Sequence, residues 1–249
     1  MNTHDRRLGH LIDRIRAARR LTILTGAGVS AASGVPTFRG PGGLWRQHRA
    51  ADLATPHAFA RDPRLVWEWY AWRRETVAAC RPNRAHEVIA AWTRRNPHWH
   101  LVTQNVDDLH VRAGSQHLVR LHGSIWELSC WTRCATSART WRDERVPLPE
   151  ALPTCPHCGG LARPAVVWFG ESLDPRDVEG AQQLTDCDVY LTVGTSAVVY
   201  PAAGFLHEAR RHGAFTAEIN LEETPASSTV DVAIRAPAEE ALDSIEKAL

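Results

Sequence analysis

Two glycine-bearing segments, a histidine at a strand end and four paired cysteines are the parts of this 249-residue chain whose types and spacing could do chemistry. Gly26-Ala27-Gly28-Val29-Ser30 follows the apolar run Leu21–Leu24, and Gly34-Val35-Pro36-Thr37-Phe38-Arg39-Gly40 comes soon after. A short strand feeding a tight glycine turn and then a helix start presents backbone N–H groups to a phosphate. The first glycine permits the turn, and the second lets the backbone approach a ligand closely. This spacing is not the GxGxxG of ordinary dinucleotide folds. The continuation adds an apolar ring, Phe38, and a fixed cation, Arg39, one loop beyond the cradle.

Such residues need a frame to hold them. Leu8, Leu11, Ile12 and Ile15 recur at helical spacing and predict an opening helix before a first strand at Leu21–Thr25. Thr55–Cys80 reads as helical and aromatic, Ala85–Trp92 as helix, His100–Thr103 as strand and Val106–Val111 as helix. Leu118–Leu121 reads as a strand ending in His122, and Ala165–Trp168 as a return to the sheet after a cysteine-bearing insertion. Asp188–Val193 predicts a strand, Ala202–Arg211 a helix, Thr216–Ile219 a strand and Ala238–Lys247 a final helix. Strands alternating with helices imply an α/β fold, a Rossmann-like doubly wound parallel sheet. Gln104-Asn105, His122, Thr195-Ser196 and Asn220 fall at strand C-terminal ends, the edge where open α/β sheets bind ligands. A smaller module is inserted in two pieces, helical over 41–84 and zinc-ribbon-like over 126–163. Segments 20–40, 85–125 and 164–249 form the Rossmann-like part of one domain spanning 1–249.

Composition narrows the field. A net charge of +1 argues against a nucleic-acid stripe or an anionic membrane surface. Met1–Arg20 is polar and arginine-rich with no apolar h-region, so it does not read as a secretory signal. No stretch approaches the roughly 18 uninterrupted apolar residues of a spanning helix. The expectation is a soluble cytoplasmic protein without nucleic-acid or membrane partners. Lys247 is the only lysine, which fits codon usage in a GC-rich genome.

Cys130-x3-Cys134 and Cys155-x2-Cys158 are separated by twenty residues, and Gly159-Gly160 follows the second pair. Two close thiol pairs at that interval read as a tetrahedral four-cysteine zinc site. Four protein ligands leave no position for water or substrate, so the metal's role is structural. Disulfides fit poorly with a cytoplasmic chain. His157 reads as a solvent-facing knuckle residue, and Cys80 and Cys187 as ordinary buried or half-buried thiols.

The ordered set of motifs resembles the sirtuin family of NAD-dependent protein lysine deacylases. It comprises Gly26–Ser30, Gly34–Gly40, Thr103-Gln104-Asn105-Val106-Asp107, Leu121-His122-Gly123, the four cysteines, Val167-Trp168-Phe169-Gly170-Glu171, Gly194-Thr195-Ser196 and Ile219-Asn220. The resemblance runs from about residue 20 to 240 and implies NAD as cofactor, with one structural zinc ion. Gly26, Ala27, Gly28 and Ser30, with Thr37 and Arg39 nearby, would hold the pyrophosphate side. Phe38 would shield the reactive ribose. Gln104 would contact that ribose, and Asn105 and Asp107 would line the nicotinamide pocket. Gly194, Thr195, Ser196 and Asn220 would hold the adenosine half, and backbone near Ala238 would close over the adenine. His122 matches the family's general base.

In the family's reaction the acyl-lysine carbonyl oxygen attacks the anomeric carbon of the ribose as nicotinamide departs. A base then takes a proton from a ribose hydroxyl, a task suited to an imidazole that titrates near working pH. The products would be free lysine, nicotinamide and O-acyl-ADP-ribose. The partners would be acylated lysine side chains of proteins. The peptide would add as a strand between Val167–Glu171 and Ser196–Tyr200, contacting Val167, Phe169 and Gly170.

Tyr70 and Arg73 stand three residues apart on one helix face, where a guanidinium fork beside a phenol makes a receptor for a carboxylate. This Tyr-x-x-Arg pair resembles that of class III sirtuins, which remove succinyl and malonyl groups. Ala54 resembles the small residue with which that subgroup widens its acyl pocket. The plainer reading makes Tyr70 a core residue and Arg73 a solvated helix residue. Acetyl-lysine is also expected as a substrate.

The rival readings are a plain deacetylase or mono-ADP-ribosyltransferase in the same pocket, a catalytically silent NAD-sensing module, and a hydride-transfer dehydrogenase. Tyr70 and Arg73 speak against the first, His122, Asn105 and Asp107 against the second, and the missing GxGxxG against the third. The chain departs from the family pattern at the three-residue gap after Cys130, at Ala32 and at Ala236.

Overall fold

The computed structural model describes residues 3–36, 44–45, 48–135 and 140–249. In chain order its strands are β1 (Leu21–Thr25), β2 (Leu44–Trp45), β3 (His48–Arg49), β4 (Trp99–Thr103), β5 (Leu118–Arg120) and β6 (Gly123–Cys130). They continue with β7 (Trp141–Arg142), β8 (Ala162–Val166), β9 (Val189–Val193), β10 (Phe215–Asn220) and β11 (Val232–Arg235). The α-helices are α1 (Thr3–Ala17), α2 (Ala50–Leu53), α3 (Pro56–Arg61), α4 (Pro63–Ala79) and α5 (Arg84–Arg95). After these come α6 (Leu109–Arg112), α7 (Pro175–Gln183), α8 (Ala202–Arg211) and α9 (Ala238–Ala248). A 3-10 helix, Ala27–Ser33, follows β1 directly.

Six strands form one parallel sheet in the order β11-β10-β9-β1-β4-β5. The strands lead outward in opposite directions from β1 and β9, so the topological switch point lies between those two. The doubly wound α/β frame predicted from the sequence is therefore present. Its central strands β1 and β9 are buried along their whole length because both faces are covered, and the polar side chains they bury are threonines and a tyrosine. Leu21, Ile23, Leu101 and Leu191 point to a core shared with Leu11, Ile15, Ile89, Trp92, Leu242 and Ile245 of α1, α5 and α9. Leu24, Val102 and Tyr190, one position out of phase, point to the other face with Ala181, Phe205 and Leu206 of α7 and α8.

The predicted helical stretch 55–80 is two helices, each started by a side-chain cap followed by proline. Thr55 Oγ1 accepts from the Ala58 N–H at 3.0 Å, and Asp62 Oδ1 from the Leu65 N–H at 3.0 Å. Pro56 and Pro63 fill the first helical turns, where a missing N–H costs nothing. These helices pack Phe59, Trp67, Trp69 and Tyr70 against Ile125, Trp126 and Trp168 in a separate, aromatic-rich core.

Two expectations need correction. Ala165–Trp168 does not rejoin the parallel sheet: β8 pairs antiparallel with β6 in a three-stranded sheet ordered β7-β6-β8. Pro164 lacks a ladder donor and is tolerated there because β8 is an edge strand. That sheet runs from Gly123 to Val166, three residues beyond each end of the expected 126–163 module. The helix expected over Val106–Val111 shrinks to α6, because Asp108 takes a left-handed φ of 61° and breaks the earlier residues out of the helix.

Candidate functional site

The cysteines behave as the spacing implies. Cys130 and Cys158 Sγ lie 3.7 Å apart, Cys134 and Cys155 Sγ 3.8 Å, and all four fall within 4.8 Å of one another. A zinc ion bonded to four thiolates at about 2.3 Å requires tetrahedral edges of about 3.8 Å, so this donor set fits it. The extra residue after Cys130 is absorbed by Arg133, which adopts a left-handed φ of 50° inside the knuckle. The backbone N–H of Cys134, with the Thr132 hydroxyl, brings the Cys130 thiol down to about 6, favouring the thiolate a metal needs. His157 is exposed, while Cys80 and Cys187 are buried.

At the switch point the β1 and β9 loops are pressed together. The Gly26 N–H donates to Val193 O at 3.1 Å and the Gly28 N–H to Gly194 O at 2.8 Å. A Cβ on Gly28 would lie 2.7 Å from that oxygen, and one on Gly26 would lie 2.8 Å from Thr195 Cβ. Two of the N–H groups that the sequence offers to a phosphate are thus spent in joining the loops. Ala27 opens the 3-10 helix, a position whose N–H has no partner within the helix. Gln104 Nε2 donates to Thr195 Oγ1 at 2.9 Å, bridging the two halves of the sheet. Ser196 follows at the rim, Asn220 Nδ2 donates to Glu222 O at 2.9 Å, and Ala238 begins α9. These positions line the C-terminal edge of one sheet, as a dinucleotide requires.

Ser30 is the hub of the inner end. Its Oγ donates to Asp107 Oδ2 at 2.8 Å and accepts from Asn105 Nδ2 at 3.3 Å, and all three residues are buried. Asp107 also accepts from the Leu109 N–H at 2.9 Å, yet burial holds its carboxyl above the usual range. His86 joins this cluster, with Nε2 3.3 Å from Ser30 Oγ and its ring 4.7 Å from that of His110. His110 Nε2 lies 3.0 Å from Thr25 Oγ1. Nothing next to His86 in the sequence marks it for this cluster, because its partner Ser30 lies 56 positions away. The Asn83-x-x-His86 cap at the start of α5 is the local signal that orients it.

His122 follows β5 at the same edge. Its Nδ1 is 2.9 Å from Gln104 O, and a carbonyl only accepts, so Nδ1 carries the proton and Nε2 is left basic. Burial lowers its pKa, against the raising effect of that hydrogen bond. Gly123, at φ 75°, passes so close to β8 that a Cβ there would lie 2.0 Å from Ala165 O. The Val167 N–H donates to His122 O at 3.0 Å, joining the histidine to the segment predicted to hold peptide.

That segment continues to the residues expected to form an acyl pocket. The Phe169 N–H donates to Ala54 O at 2.9 Å, and Trp168 Nε1 donates to the Tyr70 hydroxyl at 2.8 Å. Tyr70 is wholly buried, as the plainer reading held, and burial raises its pKa. The Arg73 guanidinium sits 5.0 Å from the Trp69 ring centre and 5.5 Å from that of Tyr70. Burial lowers the Arg73 pKa, opposed by Tyr70 and by Asp107 of the inner cluster. Gly170 takes φ 86°, and Phe169 is half exposed. Thr37, Phe38 and Arg39 lie outside the described residues.

A parallel sheet carrying a polar switch-point crevice, beside a four-thiolate ribbon, is the architecture of an α/β dinucleotide-binding protein. Residues 26–201 match the profile of the Sir2 family, and the chain belongs to that family. An NAD-dependent protein deacylase of Aquifex aeolicus is 45% identical over 226 residues, covering 90% of this chain and 93% of that one. The mitochondrial protein deacylase sirtuin-5 of Canis lupus familiaris is 46% identical over 236 residues, covering 85% and 76%. A Sir2 homolog–NAD complex superposes with a TM-score of 0.89 at 44% identity, over 96% of this chain and 92% of that one. A Sir2–p53 peptide–NAD+ complex gives 0.84 at 28% identity, over 96% and 97%.

Proposed function

We propose that this NAD-dependent protein deacylase removes succinyl and malonyl groups from lysine, and acetyl groups as well. The observation that carries the acyl preference is the Tyr70–Arg73 pair, a phenol with a guanidinium over its ring, in the same core as the small residue Ala54. The 46% identity to a sirtuin-5 supports the same reading. No helix among the described residues is long and apolar enough to cross a membrane. The substrates are protein lysines.

NAD, when bound, supplies the ribose carbon that takes the acyl group and the nicotinamide that leaves. The residues that would hold it are those of the switch-point crevice, Ala27, Ser30, Gln104, Asn105, Asp107, Thr195, Ser196 and Asn220. Asn105 and Asp107, fixed through Ser30, would line the nicotinamide pocket. Gln104, tethered to Thr195, would contact the ribose. His122 Nε2 would take the proton from a ribose hydroxyl, because Nδ1–H is committed to Gln104 O. The peptide lies between Val167–Glu171 and Ser196–Tyr200. Phe169, Val198, Val199 and Tyr200 are large apolar side chains left exposed on those two segments, which supports the reading.

Incubation with NAD and matched succinyl-, malonyl- and acetyl-lysine peptides, read by mass spectrometry, tests this. Arg73→Met is expected to cut desuccinylation by roughly a hundredfold, the worth of a charge-assisted pair, and deacetylation far less. Equal loss of both activities would remove the carboxylate receptor and leave a plain deacetylase.

A further inference from the structure

Outside the cofactor crevice, one buried chain of contacts joins the small sheet to the acyl pocket. Arg163 of β8 stacks its guanidinium on the Trp168 indole, 3.5 Å from the ring centre. Its Nη1 and Nη2 donate to Glu171 Oε1 and Oε2 at 2.5 and 2.8 Å, and Nη2 also to Val166 O at 2.8 Å. Glu171 Oε2 accepts in turn from the Trp168 backbone N–H at 2.9 Å. The indole is therefore fixed at its ring face, by the Arg163–Glu171 pair, and at its backbone. Such a cation held over an indole away from water is worth more than one at the surface. The far edge of the indole carries Nε1, which donates to the Tyr70 hydroxyl.

The direction of that bond has a consequence. An indole N–H can only donate, and a guanidinium can only donate. Both polar groups set against the Tyr70 oxygen, Trp168 Nε1 and Arg73, are therefore donors. The phenol oxygen accepts, and its single hydrogen is turned away from them.

We propose that Trp168, locked by Arg163 and Glu171, is a positioning and specificity-determining residue that commits Tyr70 to act as a hydrogen-bond donor toward the acyl group. An acyl tail ending in a carboxylate offers acceptors to Tyr70 O–H and Arg73 together; a methyl terminus offers none. This rests on the acyl-group reading above. It adds that the preference for an acidic group is set by a residue three links away in the small sheet, through Trp168, as well as by the pair that touches the group. The raised pKa of the buried phenol keeps its proton in place throughout the working range.

The test compares wild type with Trp168→Phe, Tyr70→Phe and the double variant on matched succinyl and acetyl peptides. Trp168→Phe keeps a ring under Arg163 and removes the N–H. It is expected to lower the succinyl-to-acetyl ratio of kcat/KM roughly tenfold, carried by KM for the succinyl peptide. In the double variant the ratio should match that of Tyr70→Phe alone. A loss shared equally by both peptides, or losses in ratio that multiply in the double variant, would overturn the inference. If wild type itself shows no acidic preference, the acyl reading falls and this falls with it. If wild type prefers succinyl and Trp168→Phe preserves the ratio, this inference alone falls. Should Trp168→Phe not fold, the wild type carries the test by NMR. The assigned Trp168 indole N–H resonance should shift with succinyl peptide and stay in place with acetyl peptide, and the absence of a succinyl shift would overturn the inference.

Discussion

Gly28 and Gly194 meet backbone to backbone, the N–H of one on the carbonyl of the other at 2.8 Å, although 166 positions separate them. A Cβ on Gly194 would lie 2.4 Å from Val29 N, and its φ of 59° is one that side chains rarely adopt. Gly194→Ala is thus expected to cost at least about 2 kcal/mol and to abolish NAD binding by parting the β1 and β9 loops. Urea unfolding and calorimetric titration with NAD check both. Gly9, inside α1 with no atom within 4 Å of an added Cβ, is the opposite case. Gly9→Ala should gain about 1 kcal/mol and leave NAD affinity unchanged.

The role proposed for His122 sets the acid side of the rate profile. A general base works in its neutral form, and burial has moved its pKa below 6.5. The kcat/KM for an acylated peptide should stay level as the pH falls to about 6.5 and drop below it. His122→Ala should cut kcat by about a hundredfold or more while NAD still binds. An acid limb above pH 6.5 would mean that another group sets the profile.

The zinc ribbon is continuous with β6 and β8, and β8 presses on the His122-Gly123 turn through Ala165. Loss of metal should therefore reach the catalytic edge. Cys155→Ser, or prolonged chelation of the wild type, is expected to release about one zinc per chain and abolish deacylation. Far-UV circular dichroism should retain most of its signal, since the six-stranded sheet has its own two cores. Full unfolding on chelation would show that the large sheet cannot stand alone.

Five of the six strands of the large sheet could be read from the chain because each is a short, largely apolar run that ends near a polar or glycine signal. The edge strand β11, four residues with an alternating burial pattern, has no such signal. The small sheet could not be read. Whether Ala162–Val166 pairs with β6 or with β5 depends on a partner brought in by the cysteine knuckles, and Pro164 alone does not decide it. Asp107 and Asn105 were visible as a motif, but the Ser30 hydroxyl that joins them comes from another strand end. His86 meets Ser30 across the same kind of sequence gap. The Trp168–Tyr70 bond spans 98 positions and has no local trace in the sequence.

His86 and His110 form the least local part of the site, and they carry a stability signature of their own. Their rings lie 4.7 Å apart, buried beneath Ser30 and Thr25. Burial lowers the His86 pKa to about 4 and that of His110 well below its ordinary value, with His86 adding to the shift at His110. Both fold as neutral rings, so the unfolded chain binds protons first as the pH falls. Their contribution is fully present above about pH 6.5, the unfolded value, and is lost as the pH falls toward the folded pKa. His86 alone accounts for about 3 kcal/mol across that window. Urea unfolding free energies measured from pH 7 down to 4 should fall with a slope to which His86 and His110 contribute close to two protons taken up on unfolding, beside the uptake at His100 and His122, whose pKa values burial also lowers. In His86→Gln, a neutral side chain that keeps hydrogen-bonding capacity, the slope should fall by about one proton. An unchanged slope would show that His86 is already protonated in the folded protein, and that Ser30 is held by an imidazolium instead of an imidazole.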